Sequence, residues 1–545
     1  MSHPAGTRAR VLLSSVFKPF AQDDEFGSRV INPVELYHNQ VTRAQGPFSL
    51  RMFHRSWGIM FIQQNIAAPC TLLDFPTRQH FVRELTTGSY DIVGLSGIVV
   101  NAGKIREMCR LVRQHSPRST IVVGGHVTAI AGIDRMIDAD HIVRGEGVSW
   151  MREFLGEDPE RPMVHPQIPS SFGFRLMGLP SPRGGGSPAA TIVPSVGCPI
   201  GCNFCTTSAF FGGKGRFVNF YQRGSDLFRV MCEAERVQGV SSFFMMDENF
   251  LLYKARALEL LDCMKTHGKS WALYVFSSAN AIRKYDVRQL VELGIEWIWL
   301  GLESAGSGYA KLKGTDTLSL VQELQSHGIC MHGSSIIGLE HHTPANIEAE
   351  IDHAVAHDTV FHQFMLYTPM PGTALHAQIA AEGRLLDDVD LADIHGQFKF
   401  NFRHQAISRD QSKVLLDRAF SLDYERNGPS LYRLMRLMQL RWRRYRADPD
   451  PRVRARVGVA AAQLRAGYGA ALWAMERYLR NSNPGVSGRI RALRLETERD
   501  FGVWTSALNR TLGPVMLWAS RREASRYPDG RRIEPRTFVV RTAPA

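Results

Sequence analysis

At 545 residues, with 44% hydrophobic and 21% charged side chains, the chain can build several cores at about 150 residues per domain, which excludes a miniprotein or a disordered tail. No apolar run approaches the roughly 18 residues of a bilayer-spanning helix, Val11 to Phe17 is too short for a secretory signal core, and eight cysteines in such a length make no disulfide framework. The net charge of +13 is localised, since residues 401–545 carry 29 Lys and Arg against 13 Asp and Glu whereas residues 1–400 carry 36 against 39.

These features place the chain in a reducing, cytoplasmic setting and confine any polyanion binding to its last quarter. Within residues 1–156, the runs Val11 to Phe17, Cys70 to Phe75, Asp91 to Ser96 and Thr120 to Gly125 are apolar, bounded by turn residues and separated by stretches of helical period. With a weaker fifth run, His141 to Arg144, they predict a doubly wound, Rossmann-like parallel sheet. Lys18 to Ser49 is too long for an ordinary connection and reads as an insertion above that sheet. Residues 157–189, with seven prolines between Gly156 and Pro188 and the run Gly184-Gly185-Gly186, read as a linker.

In residues 190–400 the rhythm resumes, with strands expected near Thr191 to Ser195, Phe243 to Asp247, Ala272 to Ser277, Trp297 to Leu302, Met331 to Ile337 and Gln363 to Tyr367. Six strand-helix units predict a partial (β/α)6 barrel of the TIM type, whose active site lies at the C-terminal strand ends. Residues 401–545 show no further strand signal and carry Arg-rich helical patterns, such as Leu431 to Met438. The expected fold class is α/β with a helical C-terminal region.

After the first barrel strand, Cys198, Cys202 and Cys205 stand within eight residues. Structural zinc takes four ligands, and no fourth cysteine is near in sequence. Three thiolates suit a [4Fe–4S] cluster with one iron open to a small molecule. Here the chain resembles the radical S-adenosylmethionine (SAM) superfamily, whose signature is this spacing with an aromatic, here Phe204, before the third cysteine. The resemblance implies that Cys198, Cys202 and Cys205 hold the cluster, that its open iron binds the amino and carboxylate groups of SAM, and that Phe204 packs on the adenine. Bottom-up, an aromatic there also serves loop packing.

The other strand ends extend the resemblance. Met245-Met246-Asp247-Glu248 puts two carboxylates at the barrel mouth, able to hold an ammonium group; the position is similar to the superfamily's grip on the methionine amino group, in an acidic variant of the usual Gly-Gly-Glu. A helix cap is the alternative for either carboxylate. Glu303, in Gly301-Leu302-Glu303-Ser304, is the candidate for the ribose hydroxyls. Gly338-Leu339-Glu340 and Tyr367 to Thr373 read as backbone shaping around adenine and substrate. Ser277 and Ser278 receive no role. His341, His342, His353, His357 and His362 read as a packed or solvated helix face, because no Glu or third ligand completes a metal spacing. Cys70, Cys109, Cys232, Cys263 and Cys330 are isolated and expected in cores.

A doubly wound sheet before such a barrel resembles the cobalamin-binding domain of B12-dependent radical SAM enzymes. Ser96-Gly97-Ile98 and Gly124-Gly125 match the segments that line the cobalamin nucleotide tail in such domains, and His126 is a candidate cobalt ligand or helix cap. The Asp-x-His-x-x-Gly segment is missing, for the chain reads Ser15-Val16-Phe17-Lys18-Pro19-Phe20 there. Two readings stand: bound cobalamin, which is preferred, and a degenerate sheet that shapes the substrate cavity.

Of the 29 basic residues beyond position 400, all but Lys413 are Arg. They are read as a helical cap on the barrel with a solvated face; a contact with a lipid, a phosphorylated substrate or a membrane surface is the functional alternative, and nucleic acid is disfavoured for want of an RNA module. The resemblance implies an enzyme that takes one electron from an external donor such as flavodoxin or ferredoxin, cleaves SAM to a 5′-deoxyadenosyl radical, and C-methylates a small-molecule or lipid-like substrate with cobalamin as methyl carrier. The alternatives are a cobalamin-independent radical oxidoreductase, cyclase or rearrangement enzyme, and a non-catalytic cofactor or redox sensor.

Overall fold

The computed structural model describes residues 2–20, 25–26, 35–180, 189–312, 314–528 and 530–542. The Gly184 to Gly186 run and, within the Lys18 to Ser49 segment, residues 21–24 and 27–34 lie outside them. The N-terminal part lays down β1 (Val11–Ser15), β2 (Arg51–Phe53), β3 (Cys70–Asp74), β4 (Ile92–Ser96), β5 (Thr120–Gly124) and β6 (His141–Ile142). Strands β3, β1, β4, β5 and β6 pair in that order, all parallel. Because successive side chains alternate across a strand, Leu12, Val93 and Ile121 pack with the helix Ala102–His115 on one face. Val11, Leu13, Ile92 and Val122 pack on the other face, with Ile59 and Met151. Burial on both faces is why these strands read as continuous apolar runs.

The segment expected to be a plain linker carries structure instead. β7 (Phe172–Leu176) and β8 (Leu179–Pro180) form a small antiparallel sheet with β2, in which Arg51 pairs with Arg175 and Phe53 with Phe172. Phe53 and Phe172 are both buried, so the segment is held by aromatic packing against the first domain.

The barrel begins with β9 (Ala190–Ile192), followed by a short hairpin of β10 (Ser195–Val196) and β11 (Val218–Asn219). It continues through β12 (Ser242–Met245), β13 (Ala272–Ser277), β14 (Ile295–Glu303), β15 (Cys330–Ile337) and β16 (Phe361–Leu366). The order β9-β12-β13-β14-β15-β16 is wholly parallel and follows the chain, an open barrel of six strands with helices between them. Leu273, Val275 and Ile298 face the helices, while the interior is filled by aromatic rings such as Trp297 stacked on Tyr274 and Trp299 stacked on His332.

From Arg409 to Arg526 the chain is helical. Its arginines do more than face solvent. Arg433 is fully buried, forks onto Asp423 at 2.9 and 2.7 Å and donates to the Thr359 carbonyl at 2.6 Å. Arg456 donates to the carbonyls of Val291 and Trp271, at the end of a barrel helix and before β13, where backbone acceptors need donors. Part of the positive charge is therefore the glue between cap and barrel. One strand escapes the sequence signals: β17 (Phe538–Arg541) returns to the first sheet and pairs antiparallel with β3, Phe538 against Asp74 and Arg541 against Thr71.

Candidate active site

Two cavities meet between the first sheet and the barrel. One, of about 410 Å³, fills the C-terminal mouth of the barrel. The other, of about 580 Å³, lies over the C-terminal ends of β1, β4 and β5. The short helix Thr206–Phe210 partitions them, with Thr206 and Ser208 facing the first and Thr207 and Phe210 the second. Glu248 belongs to the walls of both.

The loop between β10 and that helix brings Cys198, Cys202 and Cys205 onto the first cavity, all unbonded and half-buried. Its turn needs Gly201, whose φ is +68° and whose missing Cβ would sit 2.5 Å from Lys214 Cα. Cys205 caps the helix, its Sγ accepting from the Ser208 N–H at 3.4 Å, and Ser208 Oγ donates to the Cys198 carbonyl at 2.7 Å. Burial pushes the Cys198 thiol up to about 11 and raises Cys202 and Cys205 as well. Thiols so placed ionise when a metal centre compensates the charge. Three soft donors on one wall fit an iron–sulfur cluster with one open iron. Phe204 lies in the same wall, edge-on to Tyr309 at 5.1 Å.

The two carboxylates after β12 part company. Asp247 is 1% exposed, takes a hydrogen bond from Ser195 Oγ at 2.8 Å and pairs with the buried guanidinium of Arg256. It pins β10 to the following helix and is not part of the cavity wall. Glu248 turns into the wall; its Oε2 is buried with no hydrogen-bond partner among the described residues, and burial raises its carboxyl to about 8 against backbone N–H groups that lower it. A buried acceptor with nothing to accept from is the feature a bound ammonium group would satisfy.

Glu303 ends β14 at φ +55°, is 4% exposed, and pairs with Lys311 at the cavity wall. Lys311 was not singled out by the sequence, where nothing marks a lone lysine after a glycine-rich turn. Its Nζ is 5.6 Å from the Phe204 ring centroid, and the carboxylate and nearby thiols raise its pKa against the opposing effect of burial, so it is a fixed positive charge beside the cysteine loop. Ser277 and Ser278, given no role from sequence, also line the wall, where Asn249 Oδ1 accepts from the Ser278 N–H at 3.1 Å.

Ser96, Gly124, Gly125 and His126 all line the second cavity. Gly125 has φ +82°, and a Cβ there would meet the Gly97 carbonyl at 2.6 Å. A Cβ on Gly124 would meet nothing within 4 Å, so the strand end opens directly into space. Opposite, Val16 and Phe20 stand where a histidine-bearing segment would be, and with Leu13 and Phe61 they make an apolar floor. A flat, largely apolar group such as a corrin fits this cradle by shape. His126 stacks on Phe210 at 4.5 Å, its Nε2 is buried without a partner, and burial lowers its pKa to about 4. It is a neutral ring in the wall between sheet and barrel and lines the second cavity.

The histidine reading needs correction. Only His353 and His357 belong to a helix end, whereas His362 is buried in β16 against Phe364. His341 and His342 lie in the loop after β15, where Glu350 does approach them within metal-ligand reach. The hydrogen bonds argue against a metal. His342 Nδ1 accepts from the Gly338 and Leu339 N–H groups at 2.9 and 3.3 Å, which leaves its proton on Nε2, donated toward Ser304 Oγ at 3.0 Å. Ser304 in turn donates to Glu350 at 2.6 Å.

Comparison with known proteins agrees with this geometry. Residues 61–155 match the B12 binding domain family. An uncharacterized methyltransferase of Pyrococcus horikoshii is 26% identical over 337 residues, covering 54% of this chain and 71% of that protein. Bacteriochlorophyllide d C-12(1)-methyltransferase of Chlorobaculum tepidum is 25% identical over 55% of this chain and 68% of its own. The chain therefore carries a B12-binding domain and resembles methyltransferases over about half of its length. The enzyme also shares its fold with the radical SAM methyltransferase TsrM of Kitasatospora setae, solved with cobalamin and a [4Fe–4S] cluster bound, at a TM-score of 0.52 and 16% identity over 85% of this chain and 99% of that one.

Proposed function

We propose that this enzyme methylates a carbon atom of an apolar small molecule, with a [4Fe–4S] cluster and SAM in the barrel mouth and cobalamin over the first sheet. The observation that carries the reading is the meeting of a thiol-lined cavity and one lined by glycine strand ends and an apolar floor across the helix Thr206–Phe210 and Glu248. When bound, these groups supply an electron for reductive cleavage of SAM to a 5′-deoxyadenosyl radical and a methyl group for the substrate radical it creates.

The chain's own residues bind, orient and exclude water. Cys198, Cys202 and Cys205 hold the cluster, drawing its electron from an external one-electron donor. Glu248 accepts the SAM ammonium group, Glu303 the ribose hydroxyls, and Phe204 packs on the adenine. Lys311 stays beside Glu303 as its counter-charge. Ser96, Gly124 and Gly125 make room for the corrin and its tail, with His126 as wall. Phe276, Trp299, Ile336, Met365 and Met370 give the barrel mouth an apolar lining, which favours an uncharged ring or lipid-like substrate. The bacteriochlorophyllide relative supports the same class.

Anaerobic reconstitution with iron, sulfide and hydroxocobalamin, followed by desalting and a visible spectrum, tests the reading. The expected result is a cluster band absent from a Cys198→Ala, Cys202→Ala, Cys205→Ala variant, together with a retained corrin spectrum. A cluster without retained corrin would replace methyl transfer by cobalamin-independent radical chemistry, and no cluster would overturn both.

A further inference from the structure

The last long helix, Val503–Arg526, packs by small or polar residues together with a few apolar ones: Thr505, Asn509, Ala519 and Ser520 are buried, Met516 and Leu517 pack on the helical core, and Gly513 lies so close to Trp473 that a Cβ would come within 2.6 Å of the indole. Its exposed face carries the large apolar side chains Trp504, Leu508, Leu512, Val515 and Trp518, with Trp504 84% and Trp518 58% exposed. At 100° per residue these five fall within a third of the helix circumference, and from Trp504 to Trp518 they span about 21 Å. Arg522 and Arg526 continue the stripe, Arg521 and Arg510 lie about 60° and 80° beyond one of its edges, and all four are exposed. None of them pairs with a carboxylate among the described residues, and the helix's one acid, Glu523, is engaged by Arg531.

We propose that this face is a docking surface for an anionic lipid bilayer, the helix lying in the interfacial plane with Trp504 and Trp518 immersed and the arginines at the headgroups. Charge complementarity decides the occupant. The helix has no acid free to neutralise its exposed arginines, since Glu523 is engaged by Arg531, whereas a layer of lipid phosphates neutralises them. Indole rings at both ends of an apolar stripe suit the boundary between headgroup and acyl chain. No helix among the described residues is long and apolar enough to cross a membrane, so the contact is parallel to the surface. The inference does not depend on the proposed chemistry, because the surface is complete without any cofactor.

The test is flotation of the full-length protein with phosphatidylcholine vesicles, with and without about 30 mol% phosphatidylglycerol. Binding is expected to the anionic vesicles, to fall with added salt, and to weaken at least about tenfold in Trp504→Ser/Trp518→Ser and in Arg521→Glu/Arg522→Glu/Arg526→Glu. Both sets of side chains are solvent-exposed, so circular dichroism and melting should be unchanged; Val515→Glu provides a third probe should one variant misfold. Equal flotation of wild type and variants would overturn the proposal, as would wild-type protein that ignores anionic vesicles. A wild-type dimer in analytical ultracentrifugation that the tryptophan variant dissolves would assign the face to a second copy instead.

Discussion

The cavity in the barrel mouth and the cavity over the first sheet meet at Glu248, yet their walls are made of different material. The first presents thiols, carboxylates and a lysine, each held by a specific loop or strand end. The second presents glycine backbone and apolar rings around an open floor. On the proposed function the first would hold its cofactor by donor atoms, so deleting a side chain should empty it. The second would hold its cofactor by shape, so deletion should matter little and addition should matter most.

The largest effect expected from this contrast is at the thiols: Cys202→Ala alone should abolish cluster iron, read by iron and sulfide content, while corrin retention persists. A variant that keeps its cluster would break the assignment of donor atoms. Next, Gly124→Phe should fill the space into which that strand end opens, lowering corrin retention at least about tenfold with iron content and melting temperature unchanged. If Gly124→Phe binds corrin normally, the cradle lies elsewhere.

The carboxylates after β12 sharpen the comparison. Asp247→Asn leaves the buried Arg256 guanidinium without its counter-charge and should cost about 3–5 kcal/mol of stability in denaturant unfolding. Glu248→Gln should leave stability nearly intact and weaken SAM binding, measured calorimetrically on the reconstituted protein. The reverse pattern would exchange their roles.

A further effect is read against pH. Burial lowers His342, His357 and His395 to about 4, so they are neutral in the fold, whereas in the unfolded chain they titrate near 6.5. Their contribution is complete above about pH 6.5 and is lost as pH falls toward 4, because the unfolded state then binds the extra protons. Each should give a slope of up to about 1.4 kcal/mol per pH unit in that window. Substituting His357 with Asn should flatten a plot of unfolding free energy against pH between 4 and 6.5; an unchanged slope would remove this residue from the account.

Much of this was legible in the sequence wherever burial is two-sided or a motif is dense. The strand at Ala272–Ser277 was expected with those bounds, and Trp297 to Leu302 widened only to Ile295–Glu303, because a parallel strand covered on both faces must be apolar throughout. The three cysteines announced themselves by spacing. What stayed hidden depends on partners distant in the chain. The pairing of Lys311 with Glu303, the split between Asp247 and Glu248, and the approach of Glu350 to His341 and His342 are set by tertiary placement. β7 was masked by the prolines and glycines around it, and β17 is a short edge strand whose partner lies more than 460 residues earlier.

That last pairing has a consequence for synthesis. β3 is covered on one side by β1 almost as soon as it is made, but its other edge waits for Phe538–Arg541 to leave the ribosome. At about 5–20 residues per second, the delay is roughly half a minute to a minute and a half. Throughout it, the nascent first domain presents an unpaired edge to every neighbouring chain, an invitation to misassembly that the native fold withdraws. A protein shortened by its last ten residues should therefore fail first in yield, through aggregation during expression, even with both cavities otherwise able to form.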